Sequence, residues 1–210
     1  MSQIKQEIAK KLIQIKAIKL QPTNPFTWAS GWKSPIYCDN RLTLSYPKIR
    51  DFVRDEFVKQ IKEQYPDVEV IAGVATGAIA QGVLVAQAMN LPFVYIRSSA
   101  KAHGMGNQIE GHLQTDKKVV VVEDLISTGG SSLKAVEALR EAGANVLGMT
   151  AIFTYDFQIA QDNFKSANCP LAVLSDYHAL LDFALSVDYI KEEQVSTLKE
   201  WRENPSQWNK

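Results

Sequence analysis

Five short, almost uninterrupted apolar runs punctuate the second two-thirds of the chain: VEVIAGV (68–74), PFVYI (92–96), KVVVVED (118–124), NVLGMTAIF (145–153) and PLAVLS (170–175). Their β-branched residues do not alternate with polar ones, so each run reads as a strand with both faces covered. Helical patterns fall between them over 78–89, 131–141 and 159–166, the second stopped by Gly143. Strand and helix in strict alternation predict an α/β fold, a doubly wound, mainly parallel five-stranded sheet flanked by helices. Before the first strand, Ile4, Ile8, Leu12 and Ile15 mark one face of a helix reaching about residue 17, and a second helix spans 47–64. Two terminal helices are expected over 176–185 and 191–201.

A chain of 210 residues suits a single domain over 1–210. It buries roughly 70% of its unfolded surface and needs no disulfide or structural metal. Its 23 basic and 23 acidic residues cancel, which argues against generic binding to nucleic acid or to an anionic membrane. Cys38 and Cys169 form no CxxC pair, the lysine-interrupted N-terminus is no signal peptide, and no segment has the roughly 18 unbroken apolar residues of a membrane span. A cytoplasmic location is expected. His112 and His178 have no motif partners and read as structural.

The chemistry concentrates after the third run, in VVVVEDLISTGGSS (119–132). Four valines fix the strand in the core, and Glu123 and Asp124 are expected to emerge together at its end. Hydroxyls, glycines and the unpaired N–H groups of a helix start follow, a ready anion site. Two acids immediately before a phosphate cradle suit a phosphorylated sugar, with hydroxyls at one end and phosphate at the other. The chain has neither GxxxxGK[ST] nor GxGxxG, which argues against a nucleoside triphosphatase and a dinucleotide enzyme. Arg97, Lys101 and His103 lie in a loop with no acid between 97 and 109 and glycines at 104 and 106; such a loop reads as a lid over a pyrophosphate. The irregular stretch 21–46 is long enough to be functional. Segment 28–50 sets Lys33, Arg41, Lys48 and Arg50 against Asp39 alone, and Trp28, Trp32 and Tyr37 add flat surfaces suited to a planar base.

VVVVEDLISTGGSS resembles the phosphoribosyl pyrophosphate (PRPP) signature of type I phosphoribosyltransferases. FTWASGWKSPIYCDNR (26–41) and RSSAKAHGMGNQIEG (97–111) are similar to the N-terminal and flexible-loop motifs of the orotate phosphoribosyltransferases. The resemblance implies transfer of a phosphoribosyl group from PRPP to orotate, giving orotidine 5′-monophosphate and pyrophosphate. It also implies Mg2+ held mainly through PRPP, a hood over 1–46 covering orotate, and a flexible catalytic loop over 97–117 shared between the sites of a homodimer. PRPP-binding residues would be Arg97, Lys101, His103, Glu123, Asp124, Leu125, Ile126, Ser127, Thr128, Gly129, Gly130 and Ser131. Lys101, Glu123 and Asp124 would be catalytic, and Ser127, Tyr37 and Lys33 would contact orotate. The chain departs from many members at Ala29, Gly77, Ser98 and Tyr155, which leaves the holder of the orotate carboxylate open between Ser127 and Lys33. A purine phosphoribosyltransferase would share the PRPP loop but lack SGWKSPIYCDNR and the basic lid. A non-catalytic regulator on the same fold, binding PRPP or RNA, would need a basic face or lost acids, whereas Glu123 and Asp124 are intact and the net charge is +0.

Overall fold

The computed structural model describes residues 2–28, 30–98 and 108–208. Helix α1 (Ser2–Gln14) opens the chain. It ends short of residue 17 because Lys16 turns into the left-handed region at φ 60°, which a continuing helix cannot tolerate. Four short strands follow: β1 (Ile18–Leu20), β2 (Phe26–Thr27), β3 (Lys33–Ser34) and β4 (Ile36–Cys38). β1 pairs antiparallel with β4 and β2 with β3, so the irregular segment is two small ribbons. A 3-10 turn over Asn40–Ser45 leads into α2 (Pro47–Gln64), where Pro47 takes the first helical position, the one place its missing N–H costs nothing.

The larger sheet then builds from β5 (Val70–Val74), α3 (Ile79–Met89), β6 (Phe93–Ile96), β7 (Ile109–Glu110), β8 (Lys118–Ile126), α4 (Gly130–Glu141), β9 (Asn145–Thr154), α5 (Gln158–Ser166) and β10 (Leu171–Asp176), and α6 (Tyr177–Ser186) and α7 (Glu192–Glu203) complete the chain. The strand order is β10-β9-β8-β5-β6-β7, parallel except for β7. The expected five parallel strands are therefore all present, and among the described residues the sheet has six, because Ile109–Glu110 within the 97–117 segment add an antiparallel edge. So short a strand has no periodicity to read. Asp176, expected to open a helix, instead ends β10, and its carboxylate caps α6 by accepting the Ala179 N–H at 2.9 Å.

Strand β8 lies between β9 and β5, and Val119, Val120, Val121 and Val122 are fully buried in it. The strand runs on through Ile126 rather than ending at Asp124. Glu123 therefore does not emerge at a strand end: it is buried, 5% exposed, opposite Ala151 of β9. Adjacent strand residues face opposite ways. Glu123 meets Ser132 of α4, whereas Asp124 meets Gly77 just before α3, so α3 and α4 cover opposite faces of the sheet.

Helix α1 packs against α6 and β10, and Lys5 pairs with Asp176 at 2.6 Å. The β2–β3 ribbon is tied down from the opposite end of the chain. Trp201 of α7 is fully buried among Trp28, Tyr155, Phe157 and Tyr177, with ring centroids 5.3–5.6 Å away. Its indole N–H donates to the Lys33 carbonyl at 3.2 Å. Edge-to-face aromatic contacts of this kind add to the burial itself. Trp201→Ala is expected to destabilise the protein by about 3–5 kcal/mol, read as a fall in the denaturation midpoint; a loss below about 1 kcal/mol would show that the cluster does not hold the ribbon.

Candidate active site

At the C-terminal ends of the parallel strands a cavity of about 690 Å³ opens. The strand order reverses between β5 and β8, and such switch points leave a crevice because successive connections leave toward opposite sides. Glu123, Asp124 and Leu125 of β8 form its floor, Ser131, Lys134 and Ala135 of α4 one wall, and Val74 to Gly77 after β5 another. Cys38, Asp39 and Arg41 close it from the N-terminal segment, and Arg97, Ser98 and Gln108 stand at its rim.

The two acids have different environments. Glu123 accepts from the Ser132 hydroxyl at 2.8 Å and from the Asp124 N–H at 2.9 Å. Burial, then the neighbouring Asp124 charge, push its carboxyl up to about 8. A serine hydroxyl serves both states of this group, donating to the carboxylate and accepting from the acid. Asp124 is half-exposed and lies against Gly77. A Cβ at residue 77 would overlap its carboxylate, so the departure at Gly77 makes the room that Asp124 occupies.

Of the cations at the cavity, Arg41 is bound twice by Asp39, Nε to Oδ1 at 2.7 Å and Nη2 to Oδ2 at 2.9 Å. This pair holds Asp39 below its ordinary range and occupies one of the four cations expected there. Arg97 lies 3.4 Å from Glu110. Its backbone is pinned to Gln108 in both directions, N–H to carbonyl at 2.9 Å and Gln108 Nε2 to the Arg97 carbonyl at 2.8 Å. Arg97 and Gln108 thus lie side by side on the cavity rim. Lys101 and His103, with Gly104 and Gly106, lie outside the described residues, as does Ala29.

Among the other expected contacts, Ser131 lines the cavity; Ile126, Ser127, Thr128, Gly129 and Gly130 do not. Ile126 is fully buried. The turn into α4 is set by Gly129 at φ 80°, where a Cβ would also strike the Phe164 ring, and no side chain caps this helix start. Its first-turn N–H groups are therefore left for a ligand or water. Tyr37 is exposed and packs on Phe26 with centroids 5.7 Å apart, and Lys33 donates to the Thr27 hydroxyl at 2.9 Å; neither lines the cavity. Tyr155 is buried within the aromatic cluster, and Ser98 is at the rim. Sequence reasoning missed Lys134, which follows Ser131 by three residues and so shares its helix face; Arg41 was visible only as one of the hood's cations, and its place in the cavity needed the hood's fold. It also passed over Ala75 and Thr76, joined by a cis peptide bond, which carry no recognisable side-chain signal.

The Phosphoribosyl transferase domain family matches residues 46–184. The orotate phosphoribosyltransferase of Bacteroides thetaiotaomicron is 60% identical over 209 residues, covering 100% of this chain and 99% of that protein. Among solved structures, UMP synthase of Leishmania donovani superposes with a TM-score of 0.78 at 26% identity, covering 94% of this chain and 42% of that one. Orotate phosphoribosyltransferase from Aeropyrum pernix superposes with a TM-score of 0.76 at 24% identity, over 88% and 99%. The chain belongs to the phosphoribosyl transferase family and, within it, to the orotate phosphoribosyltransferases.

Two outcomes follow from the acid pair. Between pH 4.5, the ordinary value, and about 8, the folded protein keeps the Glu123 proton that the unfolded chain has lost, so Glu123 makes stability fall as pH rises through that window. Glu123→Gln should melt above the parent at pH 8.5 and converge with it near pH 4; equal melting temperatures at pH 8.5 would contradict the raised value. Gly77→Ala should displace the Asp124 carboxylate and cut turnover by about tenfold or more with little change in melting temperature. Parent-like kinetics in that variant would show that Asp124 need not sit where Gly77 lets it.

Proposed function

We propose that this chain transfers the 5-phosphoribosyl group of PRPP to orotate, releasing pyrophosphate and forming orotidine 5′-monophosphate, a step of pyrimidine biosynthesis. The observation that carries the reading is full-length similarity to an orotate phosphoribosyltransferase together with a switch-point cavity that brings two adjacent acids beside an uncapped helix start. In the transfer, a nitrogen of the orotate ring bonds to C1 of the ribose while the bond from C1 to pyrophosphate breaks with both electrons on the leaving oxygen.

Leaving-group departure needs charge neutralised and reactants held, so the protein's part is positioning and electrostatics. Asp124 faces the ribose hydroxyls and the positive charge that grows on the sugar, while Glu123, which keeps its proton up to about pH 8, offers hydrogen bonds at the same cavity. Thr128, Gly129, Gly130 and Ser131 bind the 5′-phosphate through the first turn of α4. Arg97, with Lys101 and His103, meets the pyrophosphate. Orotate lies toward the hood; with Lys33 engaged elsewhere, Ser127 is the remaining expected contact for its carboxylate.

The residues present fit Mg2+ of a particular kind. No cluster of three or more His, Cys, Asp or Glu side chains among the described residues could form a cage, and this ion commonly needs only one or two carboxylates when substrate oxygens supply the rest. Asp124 is the half-exposed carboxylate at the cavity available for that. When bound, the ion would neutralise phosphate charge. Two unpaired cysteines and the family's soluble chemistry support a cytoplasmic location, and no helix among the described residues is long and apolar enough to cross a membrane. A homodimer in which Lys101 serves the partner's site completes the reading.

Loss of orotate absorbance on mixing with PRPP and Mg2+ tests the assignment; no loss, together with conversion of adenine or hypoxanthine, would replace it with a purine enzyme. Lys101→Ala should lower kcat far more than PRPP affinity, because loop closure acts at the transition state. An unchanged kcat would remove the lid from the mechanism, and mixing this variant with Asp124→Asn should restore part of the activity if sites are shared.

A further inference from the structure

Strand β8 runs past its ladder partners at Asp124. Pairing with β5 ends at Val122, and the β9 register includes Glu123 and Leu125 but passes over Asp124. A strand carbonyl left without a partner inside a protein is costly. Here a side chain supplies the partner: the Asn40 amide, 1% exposed, donates from Nδ2 to the Asp124 carbonyl at 2.6 Å.

The orientation of that amide is itself fixed. Its Oδ1 accepts from the Cys38 thiol at 3.3 Å, and the thiol stays protonated because burial, then the Asp124 charge, raise it well above its ordinary range. The Asn40 carbonyl accepts from the Thr43 hydroxyl at 2.7 Å, and Thr43 is fully buried and approached by Gln81 Nε2 of α3 at 3.4 Å. Asn40 opens the 3-10 turn directly after β4, between the cavity-lining pairs Cys38–Asp39 and Arg41. One amide thus links the acid strand to the segment that closes the cavity, at sequence separation 84.

We propose that Asn40 is a positioning residue: it stands in for a missing sheet partner and sets both the backbone of Asp124 and the distance between that acid and the hood. The proposal rests on the phosphoribosyl transfer assigned above. The test compares Asn40→Ala and the shape-matched Asn40→Asp, which puts an acceptor where the donor was, with the parent in two measurements. Orotate turnover should show kcat lower by about tenfold or more, with KM for PRPP changed less, as expected when a buried hydrogen bond that orients a catalytic group is lost. Amide hydrogen exchange should quicken in 122–126 and 38–42 and remain parent-like in the α2 core. Parent-like kcat and exchange in both variants would overturn the role, and so would failure of both to fold, which would assign the amide to the fold alone. Absence of orotate turnover in the parent would strike the functional reading instead, and the exchange result would still decide whether Asn40 holds β8.

Discussion

The reversal of strand order between β5 and β8 is the constraint on which the rest of this molecule depends. Connections from those two strands leave toward opposite faces, and the gap between them cannot be filled by sheet. A chain that puts a cavity there must decide what to place in it, and this one places two adjacent acids, one buried and one half-exposed, on a strand built around four valines. Burying Glu123 costs several kcal/mol unless its oxygens are satisfied or it keeps its proton. The Ser132 hydroxyl and the Asp124 N–H meet the first condition, and the raised carboxyl meets the second. The neighbouring acid, turned to the other face, needs no such shelter.

Those two orientations divide the work of the site. Asp124 is placed by absence and by a distant donor: by the missing side chain at Gly77 and by the Asn40 amide. Glu123 is placed by α4, since Ser132 belongs to its first turn. Movement of α4 on binding a phosphate would therefore be felt at Glu123, and movement of the hood at Asp124.

The architecture was legible because the apolar runs are long and β-branched, and the order of the motifs identified the family. What stayed hidden was of three physical kinds. The sixth strand is two residues whose pairing is decided by a neighbour, Tyr95 opposite Glu110, and not by any local pattern. The extension of β8 to Ile126 looked improbable because a buried acid looked improbable, and the compensating Ser132 lay nine residues on. The hood's positive excess was visible as composition, but that Arg41 is engaged by Asp39 requires knowing how the chain turns at Asn40. Lys33 and Tyr37 sit in the expected motif, yet the ribbons point them away from the cavity wall.

The Trp201 cluster bears on how this molecule comes into being. Trp28 and the Lys33 carbonyl belong to the early part of the chain, and the indole that packs and bonds to them belongs to α7, some 170 residues later. Domains emerge from synthesis N-terminal part first. The β2–β3 ribbon therefore waits, with an aromatic face uncovered, until the last helix arrives. The parallel sheet is built in the interval, so a nascent chain that already has its complete acid strand and the turn into α4 does not yet have this ribbon fixed in place.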